Sequence, residues 1–354
     1  MILKIIGKEE VMITREDVAK LAGVSVSTVS RALNGREYVS QKKKKAVWSA
    51  AEQLGYQAVG LAARNMGKNQ LCLLTFEQSL HNGFCIELYE YMAEYAKDKG
   101  YITLLARDPD MRQIQSITAD GIIVENERMA MKVQKALEKR RRIPTVSVSC
   151  GLSIVKTKRI PYIDVDGYQV MELAVRYLKK KGHKKIAYAA PDVLTKGEML
   201  QSRSIAYRNI MLQEFGEKKY REYLITSGSE EEKLLENRNC FEEGCRGADE
   251  FVRRHCDATA IICYNDEYAF GMIYRLKNLG YQIPQDVSVM GIDGLKKRDL
   301  YVPRLTSVSI NIKAQSHLCV DIVTDMIEGR KAGRFYSVKP HLDEGDSVRN
   351  LMQE

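Results

Sequence analysis

At 354 residues the chain is too long for one ordinary domain, so two or three are expected. A composition of 45% hydrophobic and 29% charged residues supplies ample core, and a formal net charge of +9 permits a polyanionic partner. No apolar run approaches the ~18 residues of a membrane span, "MILKIIGKEEVM" is too short and too charged for a secretory signal, and Cys72, Cys85, Cys150, Cys240, Cys245, Cys256, Cys263 and Cys319 form no CxxC pair; the reading is a cytosolic protein with reduced thiols, no metal site and no membrane attachment.

The first predicted element is "TREDVAKLAG" (14–23). Thr14 with Asp17 three residues on is a variant capping box; Val18 and Leu21 give an apolar face and Gly23 stops the helix. Ser25 then caps a second short helix with Val26, Val29 and Leu33 at spacings of three and four. A third follows Ser40, "QKKKKAVWSAAEQLG", with Val47, Ala50, Ala51 and Leu54 on one face and Lys42 to Lys45 around the others. Helix, tight turn, helix is the unit whose second helix enters the major groove of DNA. The small hydroxyls of Ser25, Ser27, Thr28 and Ser30 suit such a surface: at a helix N-terminus they reach phosphates without holding the helix away, and longer side chains then read base edges. Residues 12–70 carry 10 basic against 4 acidic residues, a net +6 that a phosphate-binding module requires. The bland alternative is a small solvated three-helix bundle.

From residue 71 the pattern changes. "LCLLTF" (71–76), "ITLLA" (102–106), "DGIIV" (120–124) and "PTVSVS" (144–149) read as buried strands, with an amphipathic helix over 83–101. Helix and strand alternate again over 165–190, and "ATAIICYND" (258–266), "EYAFGMIYRLKNLG" and "DVSVMGID" (286–293) continue the pattern. Such alternation predicts parallel, doubly wound α/β sheets, and the strands are too many for one small sheet. The fold class is therefore an N-terminal all-α helix-turn-helix followed by two parallel α/β subdomains.

"VAKLAGVSVSTVSRALNG" closely resembles the signature of the LacI/GalR family. "KKGHKKIAY" (180–188), "RSIAY" (203–207), "YNDEYAFG" (264–271), "IPQDVSVMGID" (283–293) and "PRLTSV" (303–308) are similar to further family motifs in the family's order, so the resemblance covers nearly the whole chain. It implies a transcriptional regulator, most simply a repressor, and not an enzyme. Its partners would be a double-stranded DNA operator, a small effector such as a sugar, and a second copy of the chain. Val26, Ser27 and Arg31 would face base edges, while Thr14, Ser25, Thr28, Ser30 and Asn34 would hold phosphates; Lys44 lies on the phosphate-facing lysine run. The core would resemble a periplasmic sugar-binding protein with a cleft between its subdomains. The implied domains are 12–58 (helix-turn-helix), 59–69 (hinge), 70–161 with 292–318, and 162–291 with 319–354, crossing near 155–163, 289–293 and 308–318.

Carried over one by one, the implied effector residues are Arg203, whose fork of donors would grip ligand oxygens; Asp293, accepting from ligand hydroxyls; Asn265, able to do both; Gly83 and Phe84 after the first strand; Glu125 and Ser149 at strand ends; and Tyr162 and Asn239 as walls. Asp293 and Asn265 opposite Arg203 would suit a polyhydroxylated ligand, Arg203 and Asp293 coming from opposite ends of the cleft. Some members have a stacking aromatic at the Asn239 position; its loss argues against a purine.

The chain also departs from the family. In the hinge "YQAVGLAARNM", Ala58 and Val59 replace Pro and Asn, and Asn65 takes the place of the leucine that wedges into the minor groove, leaving Met66 beside it as the apolar candidate. "DGIIV" comes early, so a helix of the first subdomain is expected to be short. Gly294 stands where many members have a second Asp. "HLDEGDSVRNLMQE" has no leucine heptads for an additional helical bundle, so a dimer is expected rather than a tetramer. Met12 is the expected natural start: codons for "GKEEV" can contain a purine-rich ribosome-binding sequence, and Thr14 already caps the first helix; a genuine N-terminal arm is the alternative. Two rivals are weaker. A transport protein would lack residues 12–58, and an α/β enzyme would need a nucleophile elbow, phosphate loop or GxGxxG fingerprint, none of which is present; no cofactor is implied.

Overall fold

The computed structural model describes residues 14–33, 39–54, 69–76, 82–125, 127–138, 143–148, 160–192, 195, 202–228 and 239–352. Residues 1–13, Asn34, Ser149 and residues 59–68 of the predicted hinge, with Asn65 and Met66, lie outside the described residues. The chain divides into two compact units, 1–68 and 69–354. None of the described helices is long and apolar enough to cross a membrane.

The first unit holds α1 (Arg15–Ala22), α2 (Val26–Leu33) and α3 (Gln41–Leu54). Thr14 and Asp17 form the reciprocal capping box, and Gly23 closes α1 in the left-handed conformation at φ 65°, where a Cβ would be strained. Val18, Ala19, Val29, Ala32, Leu33, Val39, Val47, Ala50 and Ala51 pack into one small core. Leu21, expected on the apolar face of α1, is exposed; Val18 and Ala19 fill that side of the helix instead.

The second unit contains two six-stranded sheets. The first takes β1 (Gln70–Thr75), β2 (Ile102–Arg107), β3 (Gly121–Val124), β4 (Thr145–Val148), β5 (Tyr162–Asp164) and β11 (Phe335–Ser337), in the order β2-β1-β3-β4-β5-β11. The second takes β6 (Ile186–Pro191), β7 (Leu224–Ser227), β8 (Ala260–Cys263), β9 (Ser288–Asp293), β10 (Thr306–Ser309) and β12 (His341–Asp343), in the order β7-β6-β8-β9-β10-β12. All pairings are parallel except the antiparallel edge β12 on β10. Buried on both faces, the central strands are continuous runs of apolar residues such as Ile261 and Ile262, as parallel sheets require. Each sheet reverses direction beside its first strand, and ligands bind at the carboxyl ends of strands at such a switch point.

The connecting helices are α4 (Gly83–Asp98), α5 (Met111–Ser116), α6 (Glu127–Leu137), α7 (Gly167–Lys180), α8 (Ser202–Tyr223), α9 (Cys240–Arg253), α10 (Asp266–Asn278) and α11 (Ile312–Ile327). At six residues, α5 is the short helix expected between β2 and β3.

The chain changes sheets at three places, one of them inside the expected stretch 308–318 and two displaced from those expected. It leaves the first sheet after β5, around 165–166, because α7 packs with α8, β10 and β12. It returns around 310–311, where α11 leaves β10 and packs on α4, β3, β4 and β5. It crosses finally between β11 and β12, at 338–340. The crossing placed near 289–293 is instead β9 running unbroken through the second sheet, so 292–309 belongs to the second sheet and α11 with β11 to the first. Apolar strands for the two sheets are composed alike, and nothing local in β9 or β11 names its neighbour.

The residues after β12 fasten the second sheet at its back. The Ser347 hydroxyl donates to Val289 O at 2.6 Å, and Thr306 N donates to it at 2.9 Å. His183, 2% exposed, lies within 2.9 Å of Thr259 Oγ1 and 3.0 Å of Arg349 O. Burial lowers its pKa from 6.5, so the folded state holds it neutral. The unfolded chain binds a proton near 6.5 that the folded chain refuses, so this group's contribution is complete above that pH and is lost below it. Thermal melts of the native chain and His183→Gln should therefore converge as pH falls from 7.5 to 5.5; a constant difference would refute this.

Candidate functional sites

On the first unit, α2 presents Val26, Ser27 and Arg31 outward, with Thr28 and Ser30 half-buried and Val29, Ala32 and Leu33 turned inward. The Ser25 hydroxyl accepts from Thr28 N at 3.2 Å and lies 2.8 Å from Thr28 Oγ1 and 3.0 Å from Ser27 Oγ. It thus caps α2 and gathers three hydroxyls at the helix's positive end, an arrangement complementary to an anion. Thr14 is exposed and Lys44, on α3, half-buried. The helix placement expected for these residues is the one observed.

In the second unit the carboxyl ends of β6, β8 and β9 converge on a buried ion pair. Arg203, on the first turn of α8, donates through Nη2 to Asp293 Oδ1 at 3.1 Å and through Nη1 to Tyr264 O at 2.8 Å. Both partners are 4% exposed. Arg203 and Asp293, expected to approach from opposite ends of the cleft, are therefore direct partners. Burial pushes the Asp293 carboxyl up to about 6 against the pull of Arg203, with Glu267 and Glu87 adding to the rise. Asp293 ends β9 at φ 124°. Gly294 follows at φ 74°, where a Cβ would meet the Ser309 side chain; this is why glycine and not a second Asp stands there.

Asn265 spends its side-chain oxygen on capping α10, accepting from Tyr268 N at 2.8 Å, and its amide reaches Cys240 Sγ at 3.7 Å. The Cys240 thiol is also 2.8 Å from the Tyr264 hydroxyl. Asn239 caps α9, accepting from Phe241 N at 3.1 Å and Glu242 N at 3.3 Å. It is a helix cap where a wall was expected, because an Asx side chain before a helix satisfies orphan amides of the first turn.

The other expected residues belong to the first sheet's side. Glu125, buried after β3, accepts from Thr75 Oγ1 at 2.8 Å, the Tyr89 hydroxyl at 2.6 Å and Phe76 N at 3.3 Å. Phe84 is packed in the hydrophobic core from the first turn of α4. Tyr162 leans on Phe335 with ring centroids 4.9 Å apart. Gly83 is joined to the second sheet's side: its N–H donates to Glu267 Oε1 at 3.2 Å, and a Cβ there would meet Glu267 and Leu295. Glu267 also pairs with Lys297, and Lys296 N donates to Glu87 Oε1 of α4 at 2.8 Å. Charged groups thus bridge the two subdomains beside the Arg203–Asp293 pair. Tyr264, Asp266, Glu267, Cys240 and Glu87 were not singled out from the sequence. Asp266 and Glu267 lie inside the quoted "YNDEYAFG", but nothing local reveals that Glu267 reaches Gly83.

Residues 14–58 match the family described as bacterial regulatory proteins, lacI family, and residues 175–348 match a periplasmic binding protein-like domain. The chain belongs to the LacI family. A relative from Vibrio cholerae serotype O1, the HTH-type transcriptional repressor PurR, is 27% identical, covering 96% of this chain and 99% of its own length. Among solved structures, the transcriptional regulator CelR in complex with cellobiose aligns with TM-score 0.63 at 21% identity, over 95% of this chain and 99% of that one. The lac repressor dimer bound to operator and the anti-inducer ONPF aligns with TM-score 0.61 at 19% identity, over 95% and 99%. In this LacI-family chain α1 and α2 are the helix-turn-helix pair for DNA, and the two-sheet unit is the periplasmic-binding-protein-like domain.

Proposed function

We propose that the chain is a repressor that binds its operator as a homodimer and is controlled by a neutral polyhydroxylated effector, a sugar or sugar derivative, held at the Arg203–Asp293 pair. The observation that carries the effector reading is the pair itself. A buried guanidinium beside a buried carboxylate offers donors and an acceptor within one hydroxyl's reach, and each sugar hydroxyl both donates and accepts. The cellobiose complex of a structurally similar regulator supports this. A purine is the second reading, favoured by the name of the Vibrio relative; against it, Asn239, where some family members carry a stacking aromatic, is a helix cap. Thermal shift of the full chain against sugars and purine bases separates the two, since a ligand of the native state raises the melting temperature. A rise with purines alone would refute the sugar reading.

For DNA, Val26, Ser27 and Arg31 read base edges while Thr14, Ser25, Thr28, Ser30 and Lys44 position the backbone, with Asn34 and Asn65 or Met66 assigned from the resemblance alone. Arg31→Ala should cost about 1–3 kcal/mol of discrimination between operator and random DNA, whereas Lys44→Ala should weaken both equally. Equal losses on both DNAs for both variants would contradict the assignment. The effector would act by changing the angle between subdomains, so DNA must alter effector affinity by the same factor.

The dimer reading rests on β2, an edge strand whose Ile102, Leu104 and Leu105 are 64%, 44% and 49% exposed. A bare apolar edge is a pairing liability unless covered, and a second copy covers it here. Sedimentation should show a dimer that Leu105→Lys shifts towards monomer; a stable tetramer, or a native monomer, would refute it.

A further inference from the structure

Asp266 is fully buried at the first position of α10, and its carboxylate is bonded to Ser307 on β10 and to the turn that follows β9. Its Oδ1 accepts from the Ser307 hydroxyl at 2.6 Å, and its Oδ2 from Leu295 N at 2.8 Å. The Ser307 oxygen in turn accepts from Gly294 N at 3.1 Å. A side chain at Gly291 would collide with the same carboxylate. The turn 294–295 is therefore built around Asp266, and the residue immediately before that turn is Asp293, held at φ 124°. A non-glycine residue in that region persists only when its surroundings over-determine it.

We propose that Asp266 is a positioning residue for the effector site: with Ser307 it pins the turn that delivers the Asp293 carboxylate to Arg203. This rests on the reading that the Arg203–Asp293 pair receives the effector. Asp266 touches no effector in this arrangement and acts only through Asp293. The charged groups around Asp293 come from three helices and one turn: Arg203 on α8, Asp266 and Glu267 on α10, Glu87 on α4, and Lys297, which neutralises Glu267. Burial and the neighbouring Asp293 together raise the Asp266 carboxyl well above the usual range, against the donors from Ser307, Leu295 and Gly294. The two acids thus sense each other's charge as well as sharing a turn.

The test is a carboxyl-carbon NMR titration of the full chain, with the Asp293 signal assigned by its loss in Asp293→Asn. In Asp266→Asn and in Ser307→Ala the Asp293 midpoint should move by about half a pH unit or more. In Val308→Ala, a neighbouring apolar truncation on the same strand, it should stay in place. A midpoint unmoved in the two polar variants, or moved equally in Val308→Ala, overturns the proposal. Should Asp266→Asn fail to fold, Ser307→Ala carries the decision. Calorimetry with cellobiose gives the functional arm: where the native chain binds it, both variants should lose tenfold or more in affinity, and unchanged affinity overturns the proposal. A native chain that ignores cellobiose counts against that sugar as effector, while the NMR midpoints still decide the role of Asp266.

Discussion

Arg203→Ala should lower the stability of the second unit by about 3–5 kcal/mol, the usual cost of stranding one member of a buried ion pair, and should abolish the response to effector. The loss should depend on pH in a defined sense. With the guanidinium gone, the Asp293 carboxyl rises further above the value of about 6 that it has beside Arg203. A carboxyl whose folded pKa exceeds its unfolded one makes the fold more stable in acid and less stable as pH rises through the folded value. Urea unfolding of Arg203→Ala should thus show a larger deficit at pH 8 than at pH 5.5. Combining it with Asp293→Asn should recover part of the loss, because no buried charge is then left unpaired. A deficit independent of pH, or additive losses in the double variant, would mean that the two side chains are not partners.

Gly271→Ala should be at least as damaging. Helices α9 and α10 touch backbone to backbone: a Cβ at Gly271 would run into the carbonyl of Phe241, and one at Gly244 into the carbonyl of Tyr268. A Cβ at Gly247 would run into the Tyr268 hydroxyl. A clash with main chain cannot be relieved by a side-chain rotamer, so the upper end of the overpacking range, about 3 kcal/mol or more, is expected. The damage would reach the site, because Asn239 and Cys240 start α9 and Asn265 caps α10. Circular dichroism melts and effector titration of Gly271→Ala and Gly244→Ala test this; a melting temperature within a degree of the native chain would exclude backbone contact between these helices.

The motif-bearing stretches were legible because their signals are local. Thr14 and Asp17 bond to each other's backbone at that spacing, and the alternation from β1 to β9 reports burial on both faces. Arg203, Asn265 and Asp293 were legible through the motifs that carry them, "RSIAY", "YNDEYAFG" and "IPQDVSVMGID". The partnering was not, because it depends on how three separate strands bring their ends together: 61 residues separate Arg203 from Tyr264 and 90 separate it from Asp293. Phe84 and Asn239 show the converse. Each sits one residue from a position that touches the cluster at the carboxyl ends of the second sheet, Gly83 at Glu267 and Cys240 at Tyr264 and Asn265, and helical rotation of about 100° per residue decides which neighbour turns where. The crossing placed at 289–293 has the same origin, since hydrophobic period reveals a strand without revealing its neighbour.

The path of the chain through the two sheets governs the order in which they can be finished on the ribosome. A protein of two consecutive domains can fold the first while the second is still being made. Here that sequence of events is closed off. The first sheet waits for α11 and for its edge β11 at Phe335–Ser337, and the second for β12 at His341–Asp343. Until then the first sheet lacks the helix that packs against β3, β4 and β5, and each sheet lacks an edge strand. Both are completed within the same few residues, near the end of the chain.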